Sequence, residues 1–340
     1  MDKDSFADIL FSTVIPEGTP PEDIQEKIRP ISEAIKQMMP SRLFRYRPYT
    51  PMAVDAFSND IIYALTADKF NDPYDTLVGY DLEGIERGVN AAMSVETLAG
   101  LKEWLTKGNE FPEIIGQFLP VEMVKAFKDR ILSVEDFKTI EDYLDECKKR
   151  LISLVETYFP ILAESSKRFS AIACFSEDIQ SLLMWSHYAC SHTGFALEYD
   201  FRPTLERPIK NVIIAPVVYK DSRIDLSSYV VWAFFLIFGV RIKNPDISAF
   251  IKNALCKSVD WAYEKEWRLI DSTQRDYFDD KASAIPYKPV SIYYGRHMAL
   301  ENKRELHTIA KEKGIKEYEM YVDYSSGRFE MGCRLWGMIY

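Results

Sequence analysis

The stretch Ala173–Asp200, ACFSEDIQSLLMWSHYACSHTGFALEYD, predicts two short strands joined by a helix. The first strand ends near Phe175, and apolar residues at helical spacing follow over Gln180–Cys190. After a turn at Thr193–Gly194, the second strand, Phe195–Tyr199, alternates its side chains between two faces. This part of the chain therefore favours a sheet with helices packed beside it.

Outside this stretch, the pattern predicts further short strands with helices placed irregularly between them. Such irregular alternation favours a mixed sheet over a doubly wound parallel one. We therefore predict an α+β fold with a mixed β-sheet core and flanking helices. The predicted strands are Leu43–Tyr46, Asn211–Tyr219, Trp267–Ile270, Val290–Tyr294 and Tyr318–Tyr324, and the predicted helices include Tyr229–Arg241, Ala249–Val259 and Leu300–Lys313.

Two regions differ in pattern from this core. Residues 1–40 predict an N-terminal helical extension, whose amphipathic stripe is either kinked or divided at Pro30. Residues 82–168 are rich in Glu, Lys, Leu and Ile and poor in strand signals. We therefore predict one α+β domain over residues 41–340, with a helical insertion at about 82–168 that can be shortened without unfolding the rest.

Charge and cysteine content narrow the class of protein. A net charge of −10 and a pI near 5.1 disfavour sequence-independent binding of nucleic acid, although a local basic cleft stays open. The five scattered cysteines are typical of reduced thiols in a cytosol. No secretory signal pattern is present, and the most apolar run, Val230–Val240, is shorter than the roughly 18–20 residues that span a bilayer. We expect a cytoplasmic protein that acts on small molecules or on other proteins and has no membrane partner.

A first polar block comprises LFRYRPY and KFNDPYD. Arg45 and Arg47 lie two apart on a predicted strand, so their side chains share a face and can bind a phosphate or carboxylate. They can equally be surface arginines that pair with acids. Asn71, Asp72 and Asp75 form either a ligand or metal loop or an ordinary turn before a proline.

A second block lies on the predicted helix of the opening stretch. Ser176 or Asp178 is placed to cap this helix. Trp185, His187 and Tyr188 are its notable side chains. His187 has no second histidine at the spacing of a zinc-protease helix, so a structural role is favoured for it.

A third block is WAYEKEWRLI. With strand periodicity, Glu264, Glu266 and Arg268 point to one side. Two neighbouring carboxylates suit acid–base chemistry or the binding of a ribose hydroxyl. The other interpretation is a solvent-facing ladder in which Arg268 pairs with Glu266. We predict that the three blocks are neighbours in space.

Taken together, the pieces LFRYRPY, FNDPYD, CFSEDIQSLLMWSHYACSHTGFALEYD and WAYEKEWRL resemble the bacterial family known as domain of unknown function 2971. The resemblance covers roughly Leu43–Gly295, with the helical insertion inside. It implies a bacterial cytosolic protein that is connected with phage defence or toxin-like systems, and it brings no settled activity.

A weaker resemblance is to ADP-ribosyltransferases, which carry an early Arg or His, a central Ser or Tyr and a late E-x-E motif. It implies NAD as cofactor, with Ser176 supporting the pocket, Glu266 catalytic and Glu264 orienting the acceptor. The cofactor would be bound by Arg45, Tyr46, Arg47, Trp185 and Tyr188.

Two other functions stay open at this point. In a metal-dependent nuclease or phosphoesterase, Asp72, Asp75, Glu264 and Glu266 would converge on Mg²⁺. In a non-enzymatic sensor of a defence system, the helical insertion would be the surface for a partner. The target macromolecule is not identified by the sequence.

Overall fold

The computed structural model describes residues 1–111, 121–168, 170–237, 244–271, 281–325 and 327–337. Its helices are α1 (Lys3–Ser12), α2 (Pro21–Met38), α3 (Pro51–Ser58), α4 (Leu82–Ala92), α5 (Val95–Thr106), α6 (Val121–Ser133), α7 (Glu141–Ser166), α8 (Leu182–Tyr188), α9 (Ser227–Ile237), α10 (Ala249–Ala254) and α11 (Leu300–Lys313). Its strands are β1 (Leu43–Arg47), β2 (Ile61–Thr66), β3 (Ala171–Ser176), β4 (Phe195–Tyr199), β5 (Val212–Pro216), β6 (Val218–Lys220), β7 (Cys256–Ser258), β8 (Glu266–Asp271), β9 (Ser283–Pro286), β10 (Ser291–Tyr294), β11 (Lys316–Val322) and β12 (Met331–Leu335).

The main sheet branches at β3. One edge of β3 pairs with β8 along its whole length, and β8 then pairs with β5. The other edge meets β1 at Ser176 and β2 at Ala171 and Ile172. From β1 the order continues β4, β10, β11 and β12, whereas β2 leads to β9. The pair β10–β11 is parallel and the other ladders of this sheet are antiparallel, so the predicted mixed α+β fold is confirmed.

The two faces of this sheet carry different residues. Phe44, Ser176 and Glu266 are directly opposed across β1, β3 and β8, and they therefore share one face. Their chain neighbours Phe175 and Trp267 point to the other face, where they join a large apolar cluster. The central strands are thus buried on both sides, which explains why β8 is buried at every position.

The helices between Leu82 and Ser166 form an apolar cluster of their own. Ile85 and Val89 of α4 pack there with Val231 of α9, which comes much later in the chain. The helical character of this region agrees with the sequence pattern. Its core is completed by α9, so a shortened chain that keeps α9 would expose apolar side chains. The tolerance of this region to shortening stays a prediction.

The N-terminal helices pack against the body of the protein. Phe6 and Leu10 of α1 are almost fully buried in a cluster with Ile172 and Ile270 of the sheet. Pro30 lies inside a single continuous α2. Residues 1–40 therefore cover one sheet face and contribute to its core.

Several predicted elements need correction. Residues 249–259, predicted as one helix, contain the short α10 and then β7, which pairs in parallel with β6. Residues 211–219 contain two strands, β5 and the start of β6, where one was predicted. Ser181, not Ser176 or Asp178, caps α8 by accepting from the Met184 amide. The predicted helix over residues 229–241 and the apolar run over residues 230–240 lie partly outside the described residues. Within the part of the chain that the structure describes, no helix is both long and apolar enough to cross a bilayer.

The contact between α4 and α9 makes a testable prediction at Gly88. A Cβ atom at Gly88 would lie 3.0 Å from Cγ1 of Val231. Ala is favoured over Gly in a helix by about 1 kcal/mol, but here the close contact opposes that gain. We expect Gly88→Ala to lower the free energy of unfolding in the natural background and to raise it when Val231→Ala is also present. Urea titration of the four proteins measures this coupling.

Gly100 in α5 provides the control, because a Cβ there meets no atom within 4 Å. Gly100→Ala should raise the free energy of unfolding in both backgrounds. Equal effects of Gly88→Ala with and without Val231→Ala would show that α4 and α9 do not pack as described.

Candidate functional site

A cluster of buried charges lies where β8, α10, β7 and the loop after β2 meet. The Arg268 side chain is fully buried. Its Nη2 donates to Oδ2 of Asp75 at 2.6 Å, and its Nε donates to Oε1 of Glu266 at 2.8 Å. Its Nη1 donates to the carbonyl of Ala254 at 2.8 Å. One guanidinium thus joins β8 to the end of α10 and to the loop after β2, which is 193 residues away in sequence.

Lys257 is the second cation of this charge cluster. Its Nζ lies 2.6 Å from Oε2 of Glu264, 3.1 Å from Oε2 of Glu266 and 3.8 Å from Oδ2 of Asp75. The ammonium therefore occupies the position among the carboxylates that a metal ion would take. Among the described residues, no group of three or more His, Cys, Asp or Glu side chains is arranged to hold a metal.

The backbone before β8 sets the position of Glu264. A 3-10 helix over Val259–Glu264 ends at Lys265, which adopts the left-handed conformation with φ of +46°. Glu264 therefore lies before the strand. The sequence-based prediction that Glu264 and Glu266 share one strand and one face is wrong. The Ser176 hydroxyl donates to the carbonyl of Glu264 at 2.6 Å and fixes this turn. Tyr219 accepts from the Glu266 amide at 2.8 Å.

The two glutamates of the charge cluster differ in protonation. Burial raises the pKa of Glu266, but the charges of Arg268 and then Lys257 outweigh it and hold the pKa at about 2. Burial and the charge of Glu266 raise the pKa of Glu264, against the opposing effects of Lys257 and Tyr188. Three carboxylates face two cations here, so one carboxylate charge is in excess. Glu264 is the carboxylate that most readily takes up a proton.

A pocket of about 470 Å³ borders the charge cluster. This volume lies within the usual range for small-molecule sites, about 300–1,000 Å³. We call it the Asp72–Trp261 pocket. Its polar and aromatic lining includes Asp72, Thr76, Lys220, Arg223, Asn253, Lys257 and Trp261.

Several groups at this pocket have unused bonding capacity. Oδ1 of Asp72 accepts from the Tyr74 amide at 2.8 Å, whereas its Oδ2 has no hydrogen-bond partner among the described residues. Nearby, Oδ1 of Asp75 and the Thr76 hydroxyl are buried, and neither has a hydrogen-bond partner among the described residues. Thr76 also has φ of +55°, a costly conformation for a β-branched residue. Unpaired groups and backbone strain together are typical of a functional site.

Arg45 and Arg47 lie on the sheet face opposite the charge cluster. Arg45 is adjacent to Phe44, which shares the face of Glu266, so its side chain points the other way. Its guanidinium lies 5.7 Å from the ring centre of Phe175, and Nη2 donates to the Tyr63 carbonyl at 2.5 Å. Burial and the charge of Arg47 lower the pKa of Arg45 to about 10. The structure does not bring these arginines to Glu266.

The remaining predicted residues divide between the core and the cluster. Tyr46 donates to the Asp178 carbonyl, and the fully buried Trp185 donates to the Ile179 carbonyl at 2.7 Å, so both are held in an aromatic core. Tyr188 donates to Oε1 of Glu264 and reaches the cluster. Two further side chains are exposed nearby: Asn71, which interacts with Tyr188, and His187, whose Nδ1 lies 3.1 Å from the Tyr263 hydroxyl.

Some residues of the site were missed in the sequence. Lys257 fell within a predicted helix, where a lysine is an ordinary surface residue. The sequence signal was the apolar run Ala254–Cys256 directly before it, which is more typical of a short buried strand. Thr76 and Asn253 gave no signal, because their positions depend on contacts that are distant in sequence, such as the bond from Asn253 to the Thr76 carbonyl.

Residues 184–269 match the model of a family described as protein of unknown function (DUF2971). The match runs from α8 to β8 and confirms the resemblance predicted from the sequence pieces. It includes Lys257, Glu264, Glu266 and Arg268, but not Asp72 or Asp75. Among curated proteins and solved structures, nothing matches this chain significantly.

The geometry predicts that Glu266→Gln destabilises the protein. Glu266 is the carboxylate that bonds to both buried cations, Arg268 at 2.8 Å and Lys257 at 3.1 Å. Breaking a buried ion pair by removing one partner typically costs about 3–5 kcal/mol. Chemical denaturation measures the loss. Glu103→Gln serves as the control, because Glu103 pairs with Lys107 on the surface of α5 and should change stability little. An equally small effect for Glu266→Gln would show that the charge cluster is not buried.

The pKa of Glu266 also predicts a pH dependence. A carboxyl whose pKa is about 2 in the folded protein, against an ordinary value of 4.5, stabilises the fold fully above pH 4.5. That contribution decreases as the pH falls towards 2. The difference in unfolding free energy between the natural protein and Glu266→Gln should therefore narrow over this interval. A difference that stays constant with pH would contradict the assignment.

Proposed function

We propose that this chain consumes NAD, cleaving the bond between nicotinamide and ribose as an ADP-ribosyltransferase or NAD glycohydrolase. The observation that carries the proposal is the lining of the Asp72–Trp261 pocket. A carboxylate with an unpaired oxygen, an indole ring and the basic side chains Lys220 and Arg223 meet there. We further propose a bacterial cytosolic setting, in phage defence or a toxin-like system, as the resemblance of the sequence pieces to the DUF2971 family implies.

These side chains match the parts of a dinucleotide. The Trp261 ring offers a face for stacking a planar base. Lys220 and Arg223 offer positive charge to the pyrophosphate. Oδ2 of Asp72 can accept from a ribose hydroxyl. This arrangement replaces the predicted binding by Arg45 and Arg47, which lie on the other face.

The reaction needs negative charge near the ribose. As the C1′–N bond breaks, its electron pair leaves with nicotinamide and the ribose becomes an oxocarbenium-like cation. The carboxylate of Asp72 stabilises this cation electrostatically. A water molecule or an acceptor hydroxyl then bonds to C1′ and releases one proton.

The charge cluster behind the pocket can accept that proton. Lys257 lines the pocket and donates to Glu264 at 2.6 Å. Burial lowers the pKa of Lys257, but the charges of Glu266 and then Glu264 outweigh it and raise the pKa, so the ammonium stays protonated. Lys257 can therefore pass one proton to Glu264 only in the same step in which it takes another from the pocket side. This assigns proton uptake to Glu264, whereas Glu266 stays ionised and positions Lys257 and Arg268.

The other two functions have less support. A metal-dependent nuclease would need its carboxylates open to a cation, but Lys257 and Arg268 bond to Asp75, Glu264 and Glu266. A sensor without activity gives the Asp72–Trp261 pocket and the charge cluster behind it no role. NAD consumption uses the pocket, the cluster and their shared lysine together.

The direct test follows nicotinamide release from NAD, with and without bacterial lysate as a source of acceptor. Asp72→Asn removes the stabilising charge at similar size, so we expect kcat to fall about 10²-fold. Asp260→Asn is the matched control, because Asp260 lines the same pocket but is exposed and bonds to Ser258. Absence of nicotinamide release by the natural protein under both conditions would overturn the proposal.

Tyr188→Phe tests the role of Glu264 through pH. The Tyr188 hydroxyl lowers the pKa of Glu264, which burial and Glu266 raise. Its removal should raise that pKa further. If Glu264 must be ionised to take up the proton, turnover rises with pH through this pKa. The rising limb of the pH profile of turnover should therefore move to higher pH in Tyr188→Phe. If the limb does not move, Glu264 is not the group that takes up the proton.

A further inference from the structure

The helical region contains a second cavity, separate from the Asp72–Trp261 pocket. It has a volume of about 350 Å³, and we call it the helical cavity. Leu101 of α5, Phe127 of α6 and Leu151 of α7 are among its apolar walls, with Phe235 of α9.

A cavity of this size is unusual for an unused void. Protein interiors are packed as densely as organic crystals, with few voids larger than a water molecule. An engineered apolar cavity of about 150 Å³ already binds benzene. The walls of the helical cavity also include Met93 and Met123, whose flexible thioethers adapt to irregular ligands.

Polar groups occur along one side of the helical cavity. Tyr143, Cys147 and Arg150 follow each other on α7 at helical spacing. The Arg150 guanidinium is exposed. Its Nε donates to Oε1 of Glu146 at 3.2 Å, and its Nη2 donates to the same oxygen at 2.6 Å. Its Nη1 makes no hydrogen bond among the described residues and is available to a further acceptor.

We infer that the helical cavity binds a single-chain carboxylic acid of medium length. Its alkyl chain lies between α5, α6 and α7, and its carboxylate bonds to Arg150. A methylene group is close in size to a water molecule, whose share of liquid volume is about 30 Å³, so 350 Å³ corresponds to a chain of about ten carbons. An apolar chain with one acidic end matches apolar walls that have, at one side, the Nη1 of Arg150, whose other two guanidinium nitrogens bond to the lining residue Glu146.

Cys147 provides a local reporter of binding. Its thiol lines the helical cavity, whereas Cys190 and Cys333 are exposed elsewhere. The full chain is treated with iodoacetamide with and without decanoate, and alkylation of each cysteine is followed by peptide mass spectrometry. Decanoate at ten times its Kd should slow alkylation of Cys147 about tenfold. Alkylation of Cys190 and Cys333 should not change.

Two variants test the parts of the inference. Leu151→Trp fills the cavity and should abolish protection by decanoate, whereas Ser153→Trp, on an exposed position of the same helix, should retain it. Arg150→Gln should weaken protection by decanoate and leave protection by 1-decanol unchanged. The circular dichroism spectrum of each variant separates lost binding from unfolding.

The inference is overturned if decanoate leaves the alkylation of Cys147 unchanged. It is also overturned if decanoate slows alkylation of Cys190 and Cys333 as much as that of Cys147, because the effect is then general association with the surface. If Arg150→Gln lost protection by decanoate and by 1-decanol equally, the proposed bond between Arg150 and the ligand carboxylate would be wrong.

Discussion

The buried guanidinium of Arg268 is the interaction on which the arrangement of this protein depends. It bonds at once to Asp75 in the loop after β2, to Glu266 in β8 and to the end of α10. A buried charge is costly unless it is paired and hydrogen-bonded. The three segments must therefore assemble together. Their assembly places Thr76 in its strained conformation and sets Lys257 against the carboxylates, and both residues line the Asp72–Trp261 pocket.

Much of the fold was predictable because local patterns agree with the final structure. Phe195–Tyr199 and Leu300–Lys313 were predicted with their observed bounds, since alternation and helical spacing are clear there. Other elements depend on distant pairing. Cys256–Ser258 has only three residues and is a strand because it pairs with Val218–Lys220. Helical spacing continues across this segment in the sequence, and the apolar run Ala254–Cys256 is too short to decide between a helix and a strand.

The candidate site shows a similar division. The sequence placed FNDPYD, the α8 stretch and WAYEKEWRLI together, and Asp75, Tyr188 and Glu264 do meet in the charge cluster. Arg45 was included because it is polar and early in the chain. A shift of one residue along a strand reverses the face of a side chain. Only the register Phe44↔Ser176↔Glu266 shows that Arg45 lies on the other face, and a single sequence does not contain that register.

The Asp72–Trp261 pocket and the helical cavity share a structural neighbour. Leu77 and Ile224 line the Asp72–Trp261 pocket and also pack against the apolar cluster of the helical region. Gly79 and Leu226 hydrogen-bond across the same junction. A ligand in one cavity can affect the other only if it binds two arrangements of this junction with different affinity. Any such coupling is reciprocal. If an acyl chain in the helical cavity changed the affinity for NAD by some factor, NAD in the pocket would change the affinity for the acyl chain by the same factor. Leu77 and Ile224 are therefore the residues through which any coupling between the helical region and the pocket would have to pass.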